Sequence, residues 1–460
     1  MTAAPMAEPL RRFNYRQLFW KWHLYAGWFG GPLLMLISLT GAILVFGPEL
    51  DTAMRPDLWK ITPPSATTSR PLVSDQAMLD LLRTKYPQES VVLYRQNQFP
   101  DQPYQFLMLG KSRSGIHDVW VNQYTGQIVG ERLRETSLVR IAEQLHRRLL
   151  TGETGATIIE FITGWGIVLS ITGVFLWWPK TLKTLQHGLT LSFQGSGYKI
   201  NWRLHNTLGA WAAIFILLMS VTGMVYSTYS GELYRRLMDW TGASQNPFNK
   251  PAKSIPVQNG VPVSLDPLLE FVRANVPAGT PLSVRMPRGP DASFVISTLQ
   301  ELRPEWQNRT SIRFWTFDQF TGQQLETASW HDLHPLMKLK MVSLGIHYGS
   351  IFGLPTRIIA LVVCLIVPIL TVTGYLIWWW KRAKKSPTAR ERVSIAVSPR
   401  RTSRPISKWL VATLLIIAVI FPTIGISFLA LTLWEFVRYL ITRSGAKVAQ
   451  QNVLQEASMP

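Results

Sequence analysis

Five long apolar runs dominate the pattern of hydrophobic and polar positions along this 460-residue chain. A helix needs roughly 20 apolar residues to cross a hydrocarbon core about 30 Å thick, and each run reaches that length. The first run is longer than the apolar region of a signal peptide, so we predict that it is retained as a span. The pattern thus predicts an α-helical integral membrane protein with spans 1 to 5 at residues 22–46, 158–178, 204–228, 356–380 and 409–434.

In the polar stretches that follow spans 1 and 3, hydrophobic residues recur with the short periods of amphipathic helices and strands. Residues 74–87 (SDQAMLDLLRTKYP) have an amphipathic helical pattern that ends before a proline, and alternating runs typical of strands come after it. A Thr-Gly turn closes the pattern in VNQYTGQIVG at 121–130. The second stretch repeats the helix at 264–277 and the turn at 317–326. We therefore predict two small α+β modules, at residues 47–157 and 229–355.

The spans repeat as well. Residues 22–46 align without a gap to 204–228, and residues 145–180 align in the same way to 346–381. Both halves enter the membrane in the same direction, so the alignment predicts two parallel repeats that form a four-helix core around a pseudo-twofold axis along the membrane normal. Span 5 lies outside the duplication, and we interpret it as a packing or assembly helix.

The net charge of +20 is concentrated between the spans. Residues 381–408 hold ten Lys or Arg and one acid, Glu391, and residues 179–203 hold four basic residues and no acid. If the spans alternate in direction, the basic segments share one side, which the positive-inside rule makes cytoplasmic. The basicity therefore indicates topology rather than nucleic-acid binding. The distribution of basic residues predicts that both modules lie on the outer side. The predicted cytoplasmic segments are residues 1–21, 179–203 and 381–408, and a C-terminal tail follows span 5 at 435–460.

The number of cysteines excludes several kinds of covalent and metal site. Cys364 is the only cysteine of the chain. It leaves no partner for an intrachain disulfide, no cysteine-ligated iron–sulfur cluster and no CxxCH haem attachment.

Four of the eight histidines occupy repeat-equivalent positions. His23 aligns with His205 at the cytoplasmic ends of spans 1 and 3, and His146 aligns with His347 on the outer side, ahead of spans 2 and 4. Two imidazoles that face each other across the axis suit the axial coordination of one haem iron, so these pairs predict two b-type haems. Zinc fits less well, because two histidines leave a tetrahedral site half empty.

The other histidines have no equivalent in the opposite half. They are His117, His187, His331 and His334. His331 and His334 are candidate alternative ligands to His347, or groups on the substrate side, although loop histidines are usually just solvated.

Small residues accompany the histidines. Each of spans 1 to 4 contains a Ser/Thr-x-Thr-Gly sequence toward its end, and a glycine also stands four residues after His23 and after His205. Small residues let a flat macrocycle approach closely, which makes these glycines candidate cofactor contacts, and tight helix packing is the alternative explanation. The six glycines are Gly27, Gly41, Gly173, Gly209, Gly223 and Gly374.

The outer histidines need a bend in the chain. His146 precedes Ile158 by twelve residues, which in a straight helix would lift it about 18 Å above the start of span 2. Gly152 and Gly155 permit a bend that returns the histidine to the bundle. The second half offers Gly349, Gly353 and Pro355 at the corresponding place.

The module followed by an LH…G…TG…LWWPK pattern resembles the PepSY-associated transmembrane family, over roughly residues 15–385 and in both halves. The resemblance implies a multi-pass bacterial inner-membrane protein with PepSY-like periplasmic modules. It also implies a dihaem reductase whose acceptor is the ferric iron of a siderophore, or another periplasmic iron chelate. No G-x-G-x-x-G follows a strand. The electron donor is therefore expected to be external, either a quinol or a cytoplasmic reductase.

Two other classes of function remain open from the sequence. PepSY-like modules are associated with regulation of peptidases, which would make the chain a membrane regulator without redox activity. A parallel repeat also suits a transporter. The spans, however, hold few ionisable residues beyond Glu160, and intramembrane charges usually mark transport paths.

Overall fold

The structure is a computed structural model. It describes residues 15–64, 73–97, 99–110, 115–179, 181–298 and 306–383, and short stretches between 418 and 437. Within these residues, four helices are long and apolar enough to cross a membrane, which confirms a membrane protein with a helical core. They overlap predicted spans 1 to 4 and begin before them: Arg16–Val45, Gly152–Trp177, Gly197–Met224 and Leu354–Arg382. Predicted span 5 is described only in part, and the tail at 435–460 lies outside the described residues except for Val437.

The first half of the chain contains helices on both sides of a four-stranded segment. Its elements are α1 (Tyr15–Tyr25), α2 (Gly31–Val45), α3 (Gly47–Met54), α4 (Pro56–Trp59), α5 (Asp75–Lys85), β1 (Glu89–Arg95), β2 (Tyr104–Gly110), β3 (Ile116–Val121), β4 (Ile128–Leu133), α6 (Leu138–Arg148) and α7 (Gly152–Trp177).

The second half follows a similar order of elements. They are α8 (Leu182–Leu189), α9 (Gly197–Met224), α10 (Tyr229–Trp240), α11 (Leu265–Ala274), β5 (Ser283–Arg285), β6 (Ser293–Ser297), β7 (Arg313–Asp318), β8 (Gln324–Ser329), α12 (Pro335–His347) and α13 (Leu354–Ala383).

The membrane helices form a bundle in which α7 packs on α1 and α9, and α13 packs on α2 and α9. Small residues let the helices approach: a Cβ atom built on Gly166 of α7 would lie 3.1 Å from Ser220 Oγ of α9. Since lipid tails are as apolar as the helices, this close packing holds the bundle together.

A π-helical turn at Ala26–Gly30 joins α1 to α2 within the first span. A Cβ atom on Gly30 would lie 2.8 Å from the indole ring of Trp165, so only glycine fits there without a shift of the neighbour. The corresponding α9 is one uninterrupted α-helix. This interruption begins three residues after His23 and distinguishes the first half from the second. Such π-turns are frequent at functional sites.

All eight strands belong to one antiparallel sheet, in the order β4-β3-β2-β1-β5-β6-β7-β8. The central pair, β1 and β5, comes from different halves of the chain, with Tyr94 opposite Val284. One buried core lies beneath it and takes Leu79 and Phe106 from the first half and Leu269 and Phe294 from the second. The strands of the two predicted modules are therefore joined into a single layer. The sequence did not predict this pairing, because the partner strand of β1 lies in the other half of the chain.

Helices α5 and α11 also link the halves. Arg273 forms an ion pair of 2.7 Å with Asp75, whose side chain is 2 % exposed. The amide of Gln76 donates to Asp266, and the amide of Leu265 donates to Gln76. Removing one partner of a buried ion pair leaves an uncompensated charge, so these contacts hold the two helices in one arrangement.

The bend predicted before span 2 is present. Leu149, Leu150 and Gly152 have φ angles of 49°, 59° and 66°. Positive φ is uncommon for leucine, and here it reverses the chain so that α6 folds back onto α2. In the second half the reversal is made by Gly349 and Gly353, both at φ 69°.

Candidate cofactor sites at two histidine pairs

The inner pair consists of His23 on α1 and His205 on α9. Their ring centres are 6.4 Å apart, with the ring planes at 89°. His23 Nδ1 lies 3.0 Å from the hydroxyl of Thr172 on α7. His205 Nδ1 lies 3.1 Å from the carbonyl of Leu370 and 3.0 Å from the hydroxyl of Thr373, both on α13.

The outer pair consists of His146 on α6 and His347 on α12. Their ring centres are 6.0 Å apart, with the planes at 66°. His146 Nδ1 lies 2.8 Å from the carbonyl of Ile37 on α2 and 3.3 Å from the hydroxyl of Thr40. His347 Nδ1 lies 2.7 Å from the carbonyl of Met219 on α9. Each histidine of both pairs thus meets a span of its own half and faces a histidine of the other half.

These hydrogen bonds assign the tautomer. A carbonyl oxygen can only accept, so Nδ1 of His146, His205 and His347 carries the proton and donates. The threonine hydroxyls have already donated to their own helix, for example Thr373 to the carbonyl of Ile369, and are therefore acceptors as well. The lone pair of each imidazole is then on Nε2. A ring that donates through one nitrogen and keeps the other for a metal is the usual arrangement of histidine ligands.

The surroundings of the outer pair also favour the neutral form of the imidazole. Burial, followed by the charge of His347, lowers the pKa of His146 to about 4. A neutral imidazole is the form that binds a metal.

The glycines of the four Thr-Gly sequences lie against the histidines. A Cβ atom would lie 2.8 Å from His347 Cε1 at Gly223 and 3.1–3.3 Å from the corresponding Cε1 atom at the other three positions. These glycines therefore make room for the imidazoles themselves. All four also line the cavity, and their contact with a flat macrocycle stays a prediction. The other three glycines and their histidines are Gly41 with His146, Gly173 with His23 and Gly374 with His205.

Gly27 and Gly209 have a different environment. A Cβ atom on either would meet only a leucine side chain, at an ordinary 3.7 Å. Both line the cavity beside the inner pair, so here the missing side chain leaves space next to the rings.

One cavity of about 1750 Å³ connects the two pairs, and all four histidines line it. It exceeds the roughly 300–1,000 Å³ of a pocket for one drug-sized ligand. Seventeen residues separate His23 from Thr40, and seventeen separate His205 from Thr222. At 1.5 Å per residue the two layers are about 25 Å apart, comparable with the hydrocarbon thickness of about 30 Å.

The spacing of the rings in each pair would accommodate one metal ion held by the two histidines. Because a metal–imidazole bond is about 2.0 Å long and the ring centre lies about 1 Å behind the nitrogen, one ion between opposed rings separates the ring centres by about 6 Å. Within the described residues, no group of three or more His, Cys, Asp or Glu side chains is placed to hold a metal. A four-ligand zinc site therefore finds no support there, whereas a macrocycle supplies its own equatorial ligands.

The remaining histidines lie elsewhere. His334 Nδ1 accepts from the amide of Leu336 and caps α12, and His331 is exposed nearby. His117 contacts Glu89 within the sheet, and the exposed His187 bonds the carbonyl of Lys183. The structure thus places His347, rather than His331 or His334, opposite His146.

Glu160, the ionisable residue singled out in span 2, is fully buried. Its carboxylate accepts from the amides of Tyr229 and Ser230 and from the Ser230 hydroxyl. It therefore satisfies the free amides at the start of α10, a capping role that favours a negative charge.

The threonines of the Thr-Gly sequences were missed as functional candidates, since only the glycines were assigned a role. The sequence does mark these threonines, because a threonine precedes the glycine in all four spans. Its position is informative: the carbonyl three residues before Thr40, Thr222 and Thr373 is the one that meets the histidine.

Fold and site together define a helical membrane protein with an antiparallel sheet domain and two half-buried histidine pairs that line one cavity. The chain belongs to the PepSY-associated TM region family, whose model matches residues 20–382 and confirms the resemblance. No curated protein matches this chain.

Proposed function

We propose that this chain is a bacterial inner-membrane reductase that binds two b-type haems and delivers electrons to periplasmic ferric iron held by a siderophore or a similar chelate. The observation that carries the proposal is the separation of the ring centres, 6.4 Å in one pair and 6.0 Å in the other. Both values match one metal between two imidazoles. A regulator without redox activity would have no need of this geometry at two levels of the bundle.

His23 and His205 would hold the inner haem, and His146 and His347 the outer haem. Haem supplies reversible one-electron chemistry that no side chain of this protein provides. The chain contributes the Nδ1 hydrogen bonds, which orient the rings and make Nε2 a stronger ligand. Between the pairs it lines the cavity with apolar side chains such as Leu34, Val367 and Leu370, and local polarity is one of the means by which proteins set haem potential.

We also propose that the two halves arose by duplication and that the sheet domain is periplasmic. The equivalent contacts support the first proposal, since His23 with Thr172 and His205 with Thr373 are related hydrogen bonds of 3.0 Å. The distribution of basic residues supports the second. Electrons would then enter at the inner pair from a quinol or a cytoplasmic reductase and leave from the outer pair beneath the sheet.

The visible spectrum of the detergent-purified protein tests the function. We expect a reducible Soret band and two haems per chain by pyridine haemochrome assay. His205→Ala should lose the inner haem and His347→Ala the outer one, so each variant should retain one. His187→Ala, which changes an exposed histidine outside the cavity, should retain both. A folded, colourless wild-type preparation that takes up no haem would overturn the proposal.

A further inference from the structure

Basic side chains from five different elements line the cavity at the end that holds the outer histidine pair. They lie on β1, on the 3₁₀ turn after β4, and on α6, α10 and α12, and we call them the basic mouth: Arg95, Arg134, Arg147, Arg235 and Lys340. They come from segments far apart in the chain, so no stretch of sequence displays them as a cluster.

The acids around the basic mouth compensate it incompletely. Arg147 pairs with Glu143 at 3.1 Å, but Glu143 is shared with Arg140 at 2.8 Å. Arg235 pairs with Glu232 at 2.7 Å, and Glu232 is shared with Arg236 at 2.9 Å. Within the described part of the chain, the Lys340 ammonium has no hydrogen bond or ion pair. Burial, followed by the charge of Arg235, lowers the pKa of Lys340. Holding the Lys340 ammonium beside Arg235 without an acid of its own costs folding free energy, which favours an anionic ligand as its partner.

The basic mouth is close to the outer imidazoles. Arg147 follows His146 directly in α6, and its charge acts on His347 as well. Lys340 lies seven residues before His347, two turns back on the same face of α12. An anion held there would sit beside the outer pair and beneath the sheet domain.

We propose that the basic mouth binds the carboxylate groups of an anionic ferric chelate and thereby selects negatively charged acceptors over neutral ones. Guanidinium groups bind carboxylates in two-point contacts, and the lysine adds a point charge. The inference deepens the proposed function by giving the acceptor a charge. Binding itself requires no electron transfer, so it can be measured separately.

The test uses redox-inert gallium(III) citrate, an anionic chelate, and the neutral gallium(III) tris(acetohydroxamate), titrated into the purified full chain. The wild type should bind the citrate complex and bind the neutral complex at least about tenfold more weakly. Lys340→Gln and Arg235→Gln should each weaken citrate binding by about tenfold, and added salt should weaken it further.

Matched controls lie on the same helices. Lys338→Gln changes α12, and Arg236→Gln changes α10; neither residue lines the cavity. Both controls should keep wild-type affinity for the citrate complex. Equal binding of the neutral complex, or equal losses in controls and test variants, would overturn the proposal.

Haem propionates share the carboxylate chemistry, so haem content is measured on the same samples. If Lys340→Gln and Arg235→Gln lose haem while gallium citrate binds unchanged, the basic mouth serves the cofactor, and the inference is wrong. If the protein takes up no haem at all but shows the expected pattern of gallium citrate binding, the proposed reductase fails and the anion site stands.

Discussion

At the scale of single residues, the histidine pairs are defined by what each Nδ1 contacts. A buried imidazole needs a partner for its N–H, and a helix carbonyl has already accepted from its own helix. The threonine that recurs beside each site donates back to its helix, as Thr172 does to the carbonyl of Val168 at 2.6 Å. The same turn of helix therefore offers a hydrogen-bond acceptor to the imidazole of a neighbouring helix. The Ser/Thr-x-Thr-Gly sequence provides this turn at all four sites.

Gly223→Ala is expected to disturb the outer site. Its Cβ would lie 2.8 Å from His347 Cε1, and the ring is held by its 2.7 Å hydrogen bond to Met219. The imidazole must therefore move, and we expect loss of the outer haem or a shift of its Soret band and potential, with the inner haem unchanged. Spectroelectrochemical titration measures both.

Gly209→Ala is the matched control on the same helix, since its Cβ meets its nearest neighbour at 3.7 Å. It should leave the outer haem unchanged. An inner haem perturbed by Gly223→Ala, with the outer one intact, would contradict the assignment of Gly223 to the outer site.

At the scale of elements, α3 is tied to the sheet through Asp51. Its carboxylate accepts two bonds from Arg132 of β4, at 2.9 and 2.8 Å, and one each from Trp59 and Ser137. Burial acts to raise the pKa of Asp51, but these hydrogen bonds and the charge of Arg132 outweigh it and hold the pKa below its ordinary value. The junction between span and sheet thus depends on an ionised carboxylate.

Asp51→Asn should lower the free energy of unfolding by about 3–5 kcal/mol near neutral pH, because Arg132 loses its buried partner. A depressed pKa stabilises the fold above the ordinary value of about 3.9 and loses that contribution as the pH falls further. The variant should therefore show a smaller drop in stability below about pH 4 than the wild type.

Thermal unfolding in detergent, followed across pH, measures this effect. Asp57→Asn, which breaks the exposed pair with Arg55, should change the unfolding midpoint little. Equal midpoints for Asp51→Asn and the wild type at pH 7 would contradict the role of the junction.

At the scale of the whole molecule, we predict that the sheet domain and the basic inter-span segments lie on opposite sides of the membrane. Cys364 is buried and is the only cysteine, so Cys364→Ser gives a background for single-cysteine labelling. In spheroplasts, an impermeant maleimide should label Glu270→Cys on α11 directly. It should label Lys183→Cys on α8 only after permeabilisation, because the positive-inside rule places α8 in the cytoplasm.

Both positions are exposed, so accessibility within the protein does not bias the comparison. Labelling of Lys183→Cys in intact spheroplasts, with Glu270→Cys protected, would invert the topology and with it the direction of electron transfer.

The sequence by itself determined the four spans of the core and the equivalence of His23 with His205 and of His146 with His347, because apolar length and repeat spacing are local patterns. It also located the glycines beside the histidines. Their contacts with the imidazoles came only from the structure, since an alignment shows that a residue is small without showing which side chain fills the space beside it.

Only the tertiary structure decided which groups meet. The pairing of β1 with β5 turned two predicted modules into one sheet, and the reversal at Leu149 and Leu150 brought His146 to the carbonyl of Ile37, 109 residues away. The basic mouth likewise gathers residues from β1 to α12. Hydrogen bonds and charge clusters of this kind join segments distant in the chain, so they form only when packing brings those segments together.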